Sequence, residues 1–391
     1  MSALVDRFAD VLDEVGEGAV ERERERRLPY AEVGLLREAG FTTVTLPTAY
    51  GGAGADHEDL FELLAEVARR DPNLAQLFRS HFSFVDRTLH APPSARRDAR
   101  LRLVADGAVH GNATFERGPA TVGTFGTRLS RDADGLRLDG TKFYSTGTLF
   151  ADLVSVAAQG DGGPVSVLVP TGAQGVRRVD DWRGFGQRTT GSGTTVLDGV
   201  RVDEDDVVEQ DPGRPGHGGA FVQLVLLAAL AGIGRAVVDD AVRYVRGRTR
   251  TYSHASGPTA QADPIVQEVV GELSARSFAA DAALAAAVRV LARSSRALLA
   301  GDPDAAGRVA DADVATARAQ LVVLPAVLRA ATDLFEVGGA SAVDAGLALD
   351  RHWRNARTLA SHNPARYKAR ALGDRLLTDA PVVSWWTSGE A

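Results

Sequence analysis

No cysteine occurs in the 391 residues of this sequence. Disulfides, zinc-thiolate sites and a thiol nucleophile are excluded together. Positive charge is not in excess either: the formal net charge is −7, which argues against nucleic acid as a partner, since phosphate binding needs concentrated cations. The run Glu21-Arg-Glu-Arg-Glu-Arg-Arg27 is balanced by its own glutamates and reads as a solvated helix. The opening residues, Met1-Ser-Ala-Leu-Val-Asp-Arg-Phe8, carry no basic-then-apolar signal, so a cytoplasmic location is expected. No membrane span is expected, because the longest uncharged stretch, Gly216 to Gly234, contains Gln223 and several glycines and reads as a buried helix. Nucleophile-elbow, P-loop and kinase signatures are missing. The eight histidines are His57, His81, His90, His110, His217, His254, His352 and His362. None pairs with another at i, i+4 beside an acid, so no metal site is expected.

What is present is a soluble globular composition, 45% hydrophobic and 24% charged, on a chain long enough for two or three packed units. Residues 1–108 repeat apolar positions at helical spacing, as in Phe61, Leu64, Ala65 and Ala68, and form a helical first domain. Residues 109–212 change to short runs punctuated by Gly and Asp, such as Leu153-Val-Ser-Val-Ala-Ala and Val165-Ser-Val-Leu-Val. That rhythm fits an antiparallel β-barrel or sandwich. The stretch Glu209 to Gly219 is the clearest linker, and residues 213–391 are Ala-rich and helical, as a four-helix bundle would be. The fold class is α+β in the order α, β, α.

Chemistry is centred on Gly140-Thr-Lys-Phe-Tyr-Ser-Thr-Gly-Thr-Leu-Phe150, which reads as a strand ending abruptly. Such a tip offers Ser145, Thr146 and the Gly147 amide to the edge of a flat cofactor, with Phe143 or Tyr144 against its face. An ordinary β-turn is the alternative. Four further stretches stand out. His81 sits among aromatic residues in Leu77-Phe-Arg-Ser-His-Phe-Ser-Phe84, a setting typical of a capped core histidine. His110-Gly-Asn-Ala-Thr-Phe115 offers Asn112 and Thr114 as donors and acceptors, or marks a domain junction. Asp180 to Gly193 holds Trp182 and Phe185 in a Gly/Ser loop of the kind that walls a ligand. Asp350 to Pro364 crowds Arg351, His352, Arg354, Arg357 and His362 around Trp353, and such charges inside a bundle need polar or anionic partners.

Together these pieces resemble the acyl-CoA dehydrogenase fold over essentially the whole chain: Pro47…Tyr50-Gly-Gly52, the strand end Lys142-Phe-Tyr-Ser-Thr-Gly147, Tyr244…Arg248/Arg250 and Gly338-Gly339…Asp350-Arg351. Within that fold the likeness is to the reduced-flavin-dependent monooxygenases typified by dibenzothiophene monooxygenase. Asp181-Trp182, Gln187-Arg-Thr-Thr-Gly-Ser-Gly193 and Trp353-Arg-Asn-Ala-Arg-Thr-Leu-Ala-Ser-His-Asn-Pro364 carry it. The dehydrogenases of this fold place a catalytic glutamate after the last Asp-Arg or early in the first bundle helix. Here those places hold Thr358-Leu-Ala-Ser-His-Asn363 and Gln223, and neither has a carboxylate to remove an α-proton.

The resemblance implies an enzyme that takes reduced FMN, with FAD as the alternative, from a separate NAD(P)H-dependent flavin reductase. It would react the flavin with O₂ to a C4a-hydroperoxide and oxygenate a hydrophobic heteroatom-containing or aromatic small molecule. By matching positions, His362 would bond the peroxide and move a proton near working pH, with His81 and Asn112 beside the substrate. Thr146, with Ser145 as second choice, would meet the reactive edge of the ring. Tyr144, Thr114 and Asn363 would complete the cofactor contacts, Trp182 would wall the ring, and Arg250 would bind its phosphate across the interface of a homotetramer. Asn363 departs from the family, which keeps an aspartate there. Two alternatives stand beside this: an acyl-CoA dehydrogenase with a relocated base, and a non-catalytic member serving as a binding or assembly module.

Overall fold

A computed structural model describes residues 3–117, 124–209, 213–250 and 252–382; part of the expected linker, residues 210–212, lies outside them. Eight helices come first: α1 Ala3–Arg7, α2 Ala9–Gly16, α3 Ala19–Glu25, α4 Tyr30–Glu38, α5 His57–Arg70, α6 Pro72–Leu77, α7 Arg79–Leu89 and α8 Ala95–Ala105. Helix α5 shows why they form. Asp56 caps it by accepting the Asp59 amide at 3.0 Å, Glu58 and Asp59 sit in its first turn, and Arg69 and Arg70 in its last. Its buried face, including Leu60, Phe61, Leu64 and Val67, points inward.

The closing helices are α9 Gly218–Gly247, α10 Pro264–Ala300, α11 Ala305–Asp333, α12 Asp350–Ala360 and α13 Ala365–Thr378. The expected bundle therefore has three long members, of 30, 37 and 29 residues, and two short ones. Its apolar first helix is interior, with 78% of the most hydrophobic window buried. Early and late helices share a single core. Phe61 meets Phe221 edge to face at 5.3 Å, and Phe41 meets Phe78 and Phe82 at 5.1 Å each; each such ring contributes about 2 kcal/mol by burial. Helices α5 and α9 approach closely at Gly232, where a Cβ would lie 2.4 Å from the Ala65 carbonyl oxygen. Arg235 then ties Glu66 of α5 and Asp281 of α10 at 2.7 Å each.

The middle of the chain forms β1 His110–Ala113, β2 Arg128–Asp132, β3 Gly135–Lys142, β4 Leu153–Gly160, β5 Gly163–Pro170, β6 Val176–Val179, β7 Thr194–Val202 and β8 Val207–Glu209. Neighbours run β6-β7-β3-β2-β4-β5-β8, with β1 also on β4. The expected wholly antiparallel barrel is corrected in two respects. Strand β1 pairs with β4 in parallel, from His110↔Leu153 to Ala113↔Val156, and β2 touches β4 in parallel at Arg128↔Gln159. The path is not closed among the described residues either, since β6 and β8 stand at its ends. Turn punctuation reveals hairpins such as β4–β5, whereas pairing across some forty residues leaves no local mark. The sheet keeps its own core, including Val154, Val156, Val167, Val169, Leu138 and Val200.

The charged run 21–27 is a second correction. Arg22 is 1% exposed and lies between Glu32 at 3.0 Å and Asp71 at 3.1 Å, while Glu23, also buried, binds Arg354 at 2.8 Å. A run that balances itself on paper is divided here between solvent and four charged partners, the fourth being Asp180, which pairs with Arg26. Buried guanidinium needs several acceptors at once, and only the fold can supply them.

Candidate functional site

The strand tip is held from below. Lys142, fully buried, pairs with Glu116 and donates to the Thr114 carbonyl at 3.2 Å. Glu116 in turn accepts the Gly126 and Thr127 amides at 2.7 and 3.0 Å. Above this anchor the chain leaves β3, and Tyr144 takes a positive φ of 56°, uncommon for a bulky residue and characteristic of functional turns. Gly147, at φ +79°, lies against Leu77 at the end of α6; a Cβ there would meet the Leu77 carbonyl oxygen at 2.4 Å. The tip is thus pressed onto the α6–α7 junction.

Three hydroxyls at the tip form a directed chain. Thr190 donates to the Gln187 carbonyl at 2.9 Å, Ser192 lies 2.7 Å from Thr190, and Thr146 lies 2.8 Å from Ser192. Each hydroxyl has one proton. With the Thr190 proton given to the carbonyl, Ser192 donates to Thr190 and Thr146 to Ser192, leaving the Thr146 oxygen an acceptor toward any further partner. Ser145 beside it has a buried hydroxyl without a hydrogen-bond partner. The 187–192 loop is fastened to the helices around it: Asn355 of α12 accepts from the Gln187 amide, and Asn73 of α6 accepts from the Thr189 amide at 3.3 Å. Trp182 donates to the Gln187 carbonyl at 2.9 Å. Tyr144, 44% exposed, faces it with ring centroids 6.0 Å apart. The two rings line a cleft of roughly 540 Å³ with Arg117, Phe143, Asp181, Arg183 and Gly184.

A second group stands where α12 ends. His362 is an exposed residue, and its Nε2 accepts from Arg79 Nη1 at 3.0 Å. Arginine has only donors, so Nε2 carries no proton and the ring is the neutral Nδ1–H tautomer. Crowding by protein and the Arg79 charge push its pKa down to about 3, against a hydrogen bond with Asn363 that pulls the other way. The expectation of a histidine titrating near working pH is therefore corrected: a cation 3 Å away opposes the second proton. Arg79 itself is 8% exposed, its Nε–H has no partner, and burial lowers its pKa to about 10.

The remaining expected residues separate. Asn112 accepts from Thr114 at 2.6 Å, and its backbone exchanges hydrogen bonds with the Thr148 hydroxyl, which joins β1 to the tip. His81 does not qualify as a ligand contact. It is fully buried, donates from Nε2 to the Thr42 carbonyl at 2.7 Å and accepts the His110 amide at Nδ1 at 3.3 Å, and burial lowers its pKa to about 4. With both nitrogens engaged, it is a core residue. Arg250 is exposed and forms no ion pair among the described residues. Three basic residues of 350–364 find anionic partners: Arg351 and His352 bind Asp240, and Arg354 binds Glu23, while Arg357 bonds the Ser361 hydroxyl. Sequence reasoning overlooked Arg79, Ser192, Thr190 and Asn355. An arginine at a helix start among aromatic residues, without an acid three or four positions away, was the available signal for Arg79.

One cluster lies outside this site. His57, Asp86 and His217 bring three potential metal-ligand atoms within 4.8 Å of one another. They come from α5, α7 and the start of α9, so i, i+4 spacing could not reveal them. The three groups also satisfy each other, at 2.8 Å and 2.9 Å to the two Asp86 oxygens.

An α–β–α chain with a hydroxyl-rich strand tip, an aromatic-walled cleft and no acid at the α12 end has the form of an acyl-CoA dehydrogenase-fold flavoprotein adapted to oxygen chemistry. Residues 2–100 match the acyl-CoA dehydrogenase N-terminal domain and residues 224–367 the acyl-CoA dehydrogenase C-terminal domain. The dibenzothiophene monooxygenase of Mycolicibacterium goodii is 30% identical over 90% of this chain and 88% of its own. The probable FMNH2-dependent monooxygenase SfnC of Pseudomonas putida is 29% identical over 94% and 93%. FMN-bound TdsC of Paenibacillus sp. A11-2 superposes with a TM-score of 0.88 at 28% identity, over 97% of this chain and 98% of that one. The chain belongs to the flavin-dependent monooxygenase family of the acyl-CoA dehydrogenase fold, and its chemistry is that of a two-component, reduced-FMN-using monooxygenase.

Proposed function

We propose that the Tyr144–Trp182 cleft and the strand tip receive reduced FMN delivered by a separate NAD(P)H-dependent reductase, and that the substrate, a hydrophobic heteroatom-containing or aromatic small molecule, is oxygenated beside His362. The observation that carries this is the directed hydroxyl chain ending on Thr146. A reduced flavin ring presents an N–H at its central edge where the oxidised ring presents a lone pair, and an accepting Thr146 oxygen favours the former. The unpartnered Ser145 hydroxyl suits a second polar contact, and exposed Arg250 suits the phosphate. When bound, reduced FMN supplies the activation of O₂; the protein binds, orients and keeps water away.

His362 is poised as a neutral ring, able to hold a proton at Nδ1 and to accept one only against the Arg79 charge. The group contributes a fixed hydrogen bond rather than an imidazolium acid. A dehydrogenase with a relocated base is disfavoured, because among the described residues neither His362 nor Arg79 is paired with a carboxylate and Gln223 is bonded to Gln320 at 2.9 Å in the bundle. Exposed Phe185 and Trp353, stacked at 6.0 Å, support a homotetramer that covers them. The test is anaerobic loading with FMNH₂ followed by oxygen and product analysis. His362→Ala should bind FMN within about threefold of wild type yet release hydrogen peroxide in place of product; unchanged coupling would remove His362 from the reaction.

A further inference from the structure

Among the described residues, Arg79 stands out as a cation that the fold buries without a counter-charge. Its guanidinium is less than a tenth exposed, its Nε–H has no acceptor, and its one side-chain hydrogen bond goes to a neutral imidazole nitrogen. The other deeply buried arginine, Arg22, has two carboxylates and two carbonyls around it. A buried guanidinium left this way is costly unless something else supplies an anion. The side from which an anion can approach is marked by His362, against which Arg79 ends and which is an exposed residue.

We propose that Arg79 anchors an anionic group of the substrate, a carboxylate or a sulfur oxyacid, so that the enzyme acts on small organic acids held with the anion on Arg79 and the oxidised atom beside His362. This deepens the functional reading above and rests on it for the placement of the reaction. Two features support an oxyanion over a neutral ligand. The planar fork of arginine matches two oxygens on one centre. The Nη1 donor already spent on His362 leaves Nε–H, a donor of that fork, unclaimed. The bond to His362 also fixes the plane of the fork, so the anion is positioned relative to the imidazole and not merely attracted.

The experiment is calorimetric titration of the full-length protein, with and without FMN, using benzoate and benzenesulfinate against their uncharged counterparts benzamide and methyl phenyl sulfoxide at neutral pH. Wild type should prefer each anion about tenfold, the difference between charge-assisted and neutral hydrogen bonding. The ratio of the two anions tells carboxylate from sulfur oxyacid. Arg79→Gln should abolish the preference, and Arg79→Lys should retain part of it, while FMN affinity followed by fluorescence stays within about threefold in both. Equal binding of charged and neutral probes by wild type, or an unchanged preference in Arg79→Gln, overturns the proposal. A tenfold loss of FMN affinity in Arg79→Gln also overturns it, by assigning the arginine to the cofactor. If FMN does not bind wild type at all but the anion preference and its loss in Arg79→Gln persist, the monooxygenase reading fails and the anion site stands.

Discussion

Helix α7 meets histidines at both ends and treats them oppositely. Its first residue, Arg79, places a cation on the neutral ring of His362; two turns later Asp86 places a carboxylate between His57 and His217. Burial alone would raise the Asp86 pKa, but hydrogen bonds from His217 and His57 outweigh it and hold the carboxyl well below its usual range. At the other end crowding by protein and the Arg79 charge act together, and the imidazole pKa falls to about 3. The first centre is complete by itself, whereas the second is left wanting an anion. That contrast separates a joint between helices from a site.

The largest effect should come from breaking the balanced centre. Asp86→Ala strands two histidines and should lower the unfolding free energy by about 3–5 kcal/mol in denaturant titration; a loss under 1 kcal/mol would mean that the cluster is ornamental. Arg79→Met should act in the opposite direction and stabilise the protein by about 1–3 kcal/mol, because it removes an unpaired buried charge. A clear loss of stability would reveal a counter-charge the contrast denies.

Acid sharpens the comparison. Asp86 is depressed in the folded state, so its contribution is complete at neutral pH and is lost as pH falls below the unfolded carboxylate pKa of about 3.9. His81 is also depressed, to about 4, so the unfolded chain binds its proton first, and stability declines from about pH 6.5 downward. Stability measured from pH 7 to 3 should therefore fall in two stages. His81→Gln should reduce the upper one only in part, since His110, His352 and His362 are lowered as well, and Asp86→Ala should reduce the lower one only in part, since Asp240 is also depressed. In nitrogen-resolved NMR, His362 should stay neutral from pH 8 to 5, and Arg79→Gln should raise its pKa toward the ordinary value of about 6.5. A ring already titrating near 6.5 in wild type would break the pairing. The smallest effect is expected at the tip: Ser192→Ala should reduce the preference for reduced over oxidised FMN by about 3- to 10-fold, since it interrupts the hydroxyl chain without touching the cleft walls.

Much of this was legible beforehand because it is written locally. The α–β–α order follows from periodicity, and the strand tip from its Gly-Thr boundaries. The crowded 350–364 segment announced its need for partners, which Asp240 and Glu23 supply. The failures share a cause. Arg22 looked solvated because its acids Glu32 and Asp71 lie 10 and 49 positions away. His81 looked reactive by matching position, yet Thr42 and His110 claim both nitrogens. The His57–Asp86–His217 cluster joins three helices, and β1 joins β4 across the tip.

The sequence by itself determined which segments are helices or strands, that no thiol chemistry operates, and that no carboxylate follows the last Asp-Arg pair, since these depend on residue type and near neighbours. Only the tertiary structure decided the protonation of His362, the inward direction of the Thr146–Ser192–Thr190 protons and the isolation of Arg79. Electrostatic environment is set by whatever lies within a few ångströms, and in this chain those neighbours come from residues tens to hundreds of positions apart.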